Sequence, residues 1–258
     1  MDYSCIVGQM TWSHTRLAAF EDCPYKFLLR YILDLPPGEH FFSGYGSLLH
    51  SLHEALYAGS SPASLRTRFL TEFFRQVHTW DAPSPKIVRN YFEQGVAYLE
   101  QPFIPAGEIV AVEQAVEFSI DGYPFSGVID LIFRGEDGRL RIVDHKSRAL
   151  KPRSKRKAPT KTDEELDRYL RQLYLYAEAA RQLYGETPAE LIFNCFRTQT
   201  QIAEPFIPEK SDEAMAWAQN IIRAAQQNVN WTPSVEFFKC RYICGMRNAC
   251  EYAQLEAA

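Results

Sequence analysis

The sequence predicts an α/β domain in which helices flank a mixed β-sheet. Three observations favour this fold class. The first 105 residues carry apolar side chains at helical spacing, the next forty form short β-like runs separated by Asp-Gly turns, and helical and strand patterns then alternate to about residue 228. The 258-residue chain is 46% hydrophobic, which is enough for one large core. We therefore predict a single domain over 1–258 with a helical part (1–105), an α/β core (106–230) and a cysteine-containing segment (231–258).

The helical part is predicted to contain four helices. Ser13 precedes the first, which runs to about Tyr31 before Pro36. The second runs over about 45–58, and two more follow at about 62–80 and 84–100. In the second helix, four leucines form the buried face and four other side chains are expected together on a polar face: His50, His53, Glu54 and Tyr57.

The α/β core begins with a predicted three-stranded meander over 110–120, 123–133 and 139–145. A long helix follows over about 163–184, where leucines and alanines recur along one side. The rest of the core is predicted as a strand (189–196), an edge strand (201–207), and a helix that Ser211 caps and that runs to about 228.

Charge and composition exclude several classes of protein. The formal net charge of −4 argues against nucleic-acid binding through overall positive charge, so any polyanion site must be local. No apolar run approaches the ~18 residues of a membrane span, and the N-terminus lacks the pattern of a secretory signal. We expect a cytoplasmic protein without a membrane partner, whose six cysteines are thiols or metal ligands.

Two carboxylates are predicted to face each other across the second and third strands. A turn centred near Asp137 places Asp130 opposite Asp144, and the preceding turn places Glu113 opposite Asp130. Like charges at this spacing destabilise a hairpin unless a cation lies between them. Because side chains alternate along a strand, Lys146 projects with Asp144 while His145 points away. Solvated acids at strand ends are the alternative interpretation, but here both acids adjoin apolar runs of the buried type.

At these residues the sequence resembles the PD-(D/E)XK nuclease superfamily, and within it the branch of RecB and AddB nuclease domains and CRISPR-adaptation exonucleases. Five motifs in the right order carry the resemblance over nearly the whole chain. They are Ser13–Leu17 with Cys23–Phe27 (S-x-S-x-L and C-P-x-x-F), Gly46–His50 (G-x-x-x-H), Gly127–Asp130 (G-x-x-D), Asp144–Lys146 (D/E-x-K) and Gln172–Tyr176 (Q-x-x-x-Y).

The resemblance implies a restriction-endonuclease-like fold, a metal site and phosphodiester hydrolysis. Mg²⁺ or Mn²⁺ would be held by His50, Asp130, Asp144 and the main-chain carbonyl of His145. Lys146 would position or activate the attacking water. Gln172 and Tyr176, one helical turn apart, would bind the scissile phosphate or orient Lys146, although a plain core role for Tyr176 is an equal alternative.

Four cysteines come together from the two ends of the chain in this resemblance. Cys23, Cys240, Cys244 and Cys250 would bind a 4Fe-4S cluster that ties the C-terminal segment to the N-terminal helix. Three residues separate Cys240 from Cys244, where the family pattern usually has two. Zn²⁺ at four thiolates and unligated buried cysteines remain alternatives.

A basic run follows the D-x-K motif. Residues 146–161 contain eight Lys or Arg and no Asp or Glu, which predicts a loop that binds phosphates, with a solvated loop as the alternative. Its proposed DNA contacts are Lys151, Arg153, Lys155, Arg156 and Lys157.

The functional prediction is a metal-dependent DNA nuclease with an iron-sulfur cluster. We expect an exonuclease on single-stranded DNA or DNA ends, acting in repair, recombination or defence, with helicase or other repair proteins as partners. A catalytically inactive DNA-binding or scaffold subunit of a helicase–nuclease complex is the second hypothesis, and a zinc-stabilised interaction module is the third.

Overall fold

The computed structural model describes residues 2–254, and helices dominate its N-terminal part. Ser13 caps the helix over His14–Asp22 through its side chain, and Cys23, in extended backbone, ends that helix and caps the next one, Pro24–Phe27, through its sulfur. The predicted first helix is therefore broken at Cys23. The helices before the sheet are α1 (Ser4–Gly8), α2 (His14–Asp22), α3 (Pro24–Phe27), a π-helical turn (Leu28–Ile32), α4 (Phe41–Tyr57), α5 (Pro62–Gln76), a 3-10 turn (Thr79–Asp81) and α6 (Pro85–Glu100).

One five-stranded mixed sheet forms the core. The strands and later helices are β1 (Gly107–Ile120), β2 (Tyr123–Gly135), β3 (Leu140–Lys146), α7 (Lys161–Tyr184), β4 (Glu190–Cys195), a 3-10 turn (Phe196–Thr198), β5 (Thr200–Pro205), α8 (Pro208–Gln226), a π-helical turn (Lys239–Ile243) and a 3-10 turn (Glu251–Gln254). The strand order is β1-β2-β3-β4-β5. β3 and β4 are parallel and are connected by the crossover helix α7, and all other neighbouring strands are antiparallel. The predicted α/β class and mixed sheet are confirmed.

Three clusters of buried apolar side chains surround the sheet, and the smallest, which includes Leu131 and Val143, lies on the sheet face opposite the largest. The largest joins the other sheet face to α7, α8 and α2, and includes the fully buried Leu173 and Phe193. The second joins α4, α5 and α6 through Phe69 and Tyr45, and reaches the end of β4 through Phe196. The end of β3 therefore lies between two helical layers.

Two sequence predictions are wrong in detail. The last helix starts at Pro208 rather than at a Ser211 cap, because proline already fits the first helical position without needing a hydrogen-bond partner. His53 is buried instead of lying on the polar face of α4, since it falls on the same stripe as Leu49 and Leu56. Within residues 2–254, no helix is long and apolar enough to cross a membrane.

Candidate active site

The strand register brings the predicted carboxylates together. Leu131 pairs with Val143, so continuing the β2–β3 register by one residue sets Asp130 across from Asp144. In β1 and β2, the pairs that flank Glu113 and Asp130 follow the predicted register, and the register shift lies between Ile109 and Ala111. Glu113 itself has a positive φ of 47°, which leaves the register unchanged on either side. The two hairpin turns therefore align all three carboxylates.

His50 completes a cluster of possible metal ligands. Its Nδ1 lies 3.6 Å from Glu113 Oε1 and 3.7 Å from Asp130 Oδ2. One ligand atom from each of these three residues lies within 4.8 Å of the others. Two carboxylates and one imidazole suit a hard divalent cation such as Mg²⁺ or Mn²⁺.

The electrostatics of this cluster also favour a cation. Burial, reinforced by the charge of Asp144, raises the pKa of Asp130 to about 7. Burial lowers the pKa of His50, but Glu113 and the two aspartates outweigh that effect and raise it overall. A bound divalent ion would favour the ionised form of Asp130 against both burial and the repulsion from Asp144.

Asp144 and Lys146 extend the cluster along β3. Lys146 Nζ lies 2.7 Å from Asp144 Oδ2, an ion pair outside hydrogen-bonding geometry. That buried oxygen has no hydrogen-bond partner among the described residues, so it keeps its capacity to bind a cation. Asp130 Oδ2 accepts a 2.6 Å hydrogen bond from the main-chain N–H of His145. The proposed role of the His145 carbonyl as a ligand remains a prediction.

A polar chain on α7 reaches the lysine. Lys146 Nζ donates to Gln172 Oε1 at 2.8 Å, and Gln172 Nε2 lies 3.4 Å from the Tyr176 hydroxyl. The Tyr176 ring lies against Gly127, where an added Cβ would come within 2.8 Å of the ring. Gly127 is therefore required by the close approach of α7 to β2. The G-x-x-D and Q-x-x-x-Y motifs are parts of one contact.

A buried network behind β3 is the part of the site that sequence reasoning missed. His145 stacks on His53 with ring centroids 4.0 Å apart, and its Nδ1 lies 2.9 Å from Asn194 Nδ2. His53 Nδ1 contacts the Leu49 carbonyl at 2.8 Å and Nε2 contacts the Tyr98 hydroxyl at 2.6 Å. Burial lowers the pKa of His53 to about 3 and that of His145 well below its usual range. The network ties the helix that carries His50 to the strand that carries Asp144.

Helical spacing is the signal that could have identified His53. It lies four residues after Leu49 and three before Leu56, both on the buried stripe of α4. The alternation along β3 did predict that His145 points away from Lys146. Asn194 had no comparable signal, because its partners come from distant segments.

A family comparison agrees with this arrangement. A model of the PD-(D/E)XK nuclease superfamily matches residues 11–251. The chain belongs to the PD-(D/E)XK nuclease superfamily. Nucleases of this superfamily use divalent metal ions, in keeping with the cluster of His50, Glu113 and Asp130.

Individual relatives align with parts of the chain. One is a component of the ATP-dependent helicase/deoxyribonuclease from two strains of Streptococcus equi subsp. zooepidemicus (MGCS10565 and H70), and it is 28% identical over 155 residues. The alignment covers 54% of this chain but only 14% of those much longer relatives. A protein from Eubacterium rectale, provisionally described as an exonuclease, has a crystal structure that superposes with a TM-score of 0.56 at 12% identity, over 99% of this chain and 94% of that one. This last likeness shows the fold.

The four cysteines predicted to bind a cluster line one cavity of about 160 Å³. Cys23 Sγ accepts hydrogen bonds from the main-chain N–H groups of Lys26 at 3.4 Å and Ser234 at 3.3 Å. Burial raises the pKa of Cys244 and Cys250, and neighbouring thiols including Cys23 add to the shift. These thiols fit a soft metal centre that joins the two ends of the chain.

Four thiolates are the ligand set of both a 4Fe-4S cluster and a structural zinc ion. The other two cysteines lie elsewhere, Cys5 exposed and Cys195 buried in β4.

The basic loop divides into free and paired side chains. Arg153 donates to Glu204 at 2.9 Å and to Asp167 at 2.8 Å, so its charge is neutralised and its proposed DNA contact is disfavoured. The other four side chains of the predicted patch are exposed and form no ion pair within residues 2–254: Lys151, Lys155, Arg156 and Lys157. Arg153 fixes the loop to α7 and β5, and the other four remain candidates for phosphate contacts.

Proposed function

We propose that this protein is a metal-dependent deoxyribonuclease that degrades single-stranded DNA or DNA ends as an exonuclease. The observation that carries the proposal is the convergence of His50, Glu113 and Asp130 within 4.8 Å beside the Asp144–Lys146 ion pair. Acids, an imidazole and a lysine in this arrangement are suited to phosphodiester hydrolysis.

Each side chain has a distinct part in the proposed mechanism. His50, Glu113, Asp130 and Asp144 would hold Mg²⁺ or Mn²⁺, which lowers the pKa of bound water and neutralises charge on the phosphoryl oxygens. Asp144 and Gln172 hold the Lys146 ammonium at 2.7 and 2.8 Å, where it orients the attacking water or stabilises the developing negative charge. Tyr176 orients Gln172 from the next helical turn.

The cysteine segment has a structural part in the same proposal. A 4Fe-4S cluster at Cys23, Cys240, Cys244 and Cys250 would close the loop between the two ends of the domain. Because the curated relatives belong to a helicase/deoxyribonuclease, we further propose that the chain works with a helicase or with other proteins of DNA repair, recombination or defence.

A cleavage assay with end-labelled substrates tests the proposal. Anaerobically purified protein is incubated with linear single-stranded, linear duplex and circular single-stranded DNA, with Mg²⁺, Mn²⁺ or EDTA. An exonuclease degrades the linear strands, leaves the circle intact and is inactive in EDTA. Cleavage of the circle would assign an endonuclease instead. No cleavage of any substrate with either metal would favour the inactive scaffold protein.

A further inference from the structure

A cleft of about 480 Å³ lies next to the end of β3 and takes no part in the metal cluster. Its volume is in the range of ligand-binding sites. Ser147 and Arg148, the two residues that follow Lys146, form one wall of the cleft. Since adjacent Cα atoms are about 3.8 Å apart, the cleft opens within a residue or two of the proposed catalytic lysine.

Aromatic rings supply the apolar part of this cleft. Phe42 of α4 lies 5.5 Å from Tyr91 of α6 and 6.2 Å from Phe238 of the C-terminal segment, measured between ring centroids. Phe238 is 42% exposed, so part of its ring is available to a ligand. Exposed ring faces of this kind stack on nucleobases whatever their sequence.

Two guanidinium groups supply the charge. Arg197 lies over the Tyr91 ring at 3.7 Å and is fixed by hydrogen bonds to Tyr91 at 2.6 Å and Gln94 at 2.7 Å. Arg148 lies over the Tyr169 ring at 5.0 Å. Neither arginine forms an ion pair within residues 2–254, and the cleft lining contains no Asp or Glu. The positive charge is therefore available to an anionic ligand.

We infer that this cleft binds a nucleotide of a single-stranded DNA substrate next to the scissile bond, with a base against Phe238 and Phe42 and a phosphate at Arg148 and Arg197. The inference rests on the proposed nuclease function and adds the path of the strand. Unpaired bases are required, because the base faces of a duplex are covered by stacking with their neighbours.

The cleft also gives the cysteine segment a second role. Phe238 and Ile243 flank Cys240 and lie in the cleft wall, while Arg148 lines both the cleft and the cysteine cavity. A metal centre at the cysteines would therefore hold one wall of the nucleotide site in place.

Binding of a fluorescent single-stranded oligonucleotide in EDTA tests the inference without cleavage. Phe238→Leu should weaken binding about fivefold or more, since stacking on one aromatic ring contributes about 1–3 kcal/mol per base. Arg148→Gln should weaken binding and reduce the salt dependence of log K by about 0.7. Matched controls are Phe237→Leu, which changes the neighbouring exposed ring outside the cleft, and Arg66→Gln, which removes an exposed charge from α5.

A scan of abasic positions separates stacking from general loss of structure. At one position of the oligonucleotide, removing the base should weaken binding to the native protein. The same abasic oligonucleotide should bind Phe238→Leu no more weakly than the intact oligonucleotide does. The inference would be overturned by two results together. Removing the base at any position would weaken binding equally in the native protein and in Phe238→Leu, and Arg148→Gln would bind DNA as tightly as Arg66→Gln. If the native protein binds the oligonucleotides as expected but cleaves no DNA, the proposed nuclease function is wrong, while the inference that the cleft binds a nucleotide is supported.

Discussion

The acidic cluster and the cysteine cavity are held together in different ways. Glu113, Asp130 and Asp144 lie on three consecutive strands whose register is fixed by two tight turns. The cysteines lie at the two ends of the domain, with more than 200 residues between Cys23 and Cys240. The carboxylates of the first site are a local product of the meander, and only His50 comes from elsewhere, from α4. The cysteine cavity exists only when both ends of the chain have folded together.

This difference predicts opposite effects of substitution. Removing an acid from the cluster also relieves repulsion between buried carboxylates, so the fold is retained while the chemistry is lost. Removing a cysteine opens a long loop, so stability is lost while the acids and Lys146 keep their arrangement. The two sites can therefore be separated by measuring activity and thermal stability on the same variants.

Asp130→Asn tests the acidic cluster most directly. We expect DNA cleavage to fall at least about 1000-fold, since the several kcal/mol supplied by a bound metal correspond to about three factors of ten in rate. The melting temperature in EDTA should not decrease. Asp121→Asn is the matched control, because Asn tolerates the positive φ of that exposed turn residue, and it should cleave normally. Near-native cleavage by Asp130→Asn would exclude this residue as a ligand.

Cys23→Ser tests the cysteine cavity. If a cluster closes the loop as a covalent crosslink would, its loss should lower the melting temperature by about 10 °C under anaerobic conditions. The brown colour and the absorbance near ~400 nm expected of a 4Fe-4S protein should disappear together. Cleavage at low temperature should fall much less than in Asp130→Asn. Cys5→Ser, at an exposed cysteine, serves as the control. A colourless native protein that contains one zinc per chain would show that the four thiols bind zinc and not an iron-sulfur cluster.

The sequence was most informative where structure is local. Hairpin turns fixed the register of Asp130 and Asp144, and strand alternation separated Lys146 from His145, because both follow from a few neighbouring residues. The stacking of His53 on His145 and the contacts of Asn194 depend on how α4 and α6 pack on the sheet. Helical periodicity can mark His53 as buried, but it does not identify which side chain of a distant segment it contacts.

The basic loop is a second case in which contacts with distant segments could not be predicted from the local sequence. Eight positive charges in sixteen residues predicted a phosphate-binding loop in which Arg153 and four other side chains contact DNA. Arg153 forms ion pairs with Asp167 and Glu204, and both acids lie outside the run. The sequence of the loop alone therefore did not reveal that Arg153 is paired. The density of positive charge predicted a phosphate-binding loop, but only tertiary contacts show that Arg153 is paired while the other four side chains are exposed.

Gln172→Leu probes the connection between the cluster and α7. Loss of the 2.8 Å contact to Lys146 should lower kcat by about 10- to 100-fold, the usual range for groups that orient residues of a metal site, with a smaller change in KM. Gln172→Glu keeps an oxygen acceptor for the lysine and should recover part of the rate. Equal rates for both variants and the native protein would show that Lys146 needs no orientation from α7.

The pH dependence of stability provides a finer test of the cluster. The pKa of Asp130 rises from 3.8 to about 7 on folding, so the native state binds more protons than the unfolded state between these values. Its contribution to stability is fully present below about pH 4, is lost progressively as pH rises from about 4 to about 7, and does not change further above that. In EDTA, Asp130→Asn should therefore gain in melting temperature relative to the native protein at pH 8, and gain less at pH 5. A pH-independent difference would contradict the burial of this charge.

The smallest expected effect concerns the basic loop that follows β3. Replacing Lys151, Lys155, Arg156 and Lys157 by Gln removes four exposed charges, so the slope of log K against log salt for single-stranded DNA should become shallower by about 0.7 per lost contact.

Arg153→Gln should leave that slope unchanged and lower the melting temperature instead, because Asp167 and Glu204 lose a shared partner. Cleavage at saturating DNA should change less than the DNA concentration for half-maximal rate in the quadruple variant, since phosphate contacts away from the reacting bond act equally before and during the reaction. An unchanged slope in the quadruple variant would assign the loop to solvent, and a shallower slope in Arg153→Gln would mean that its ion pairs open when DNA binds.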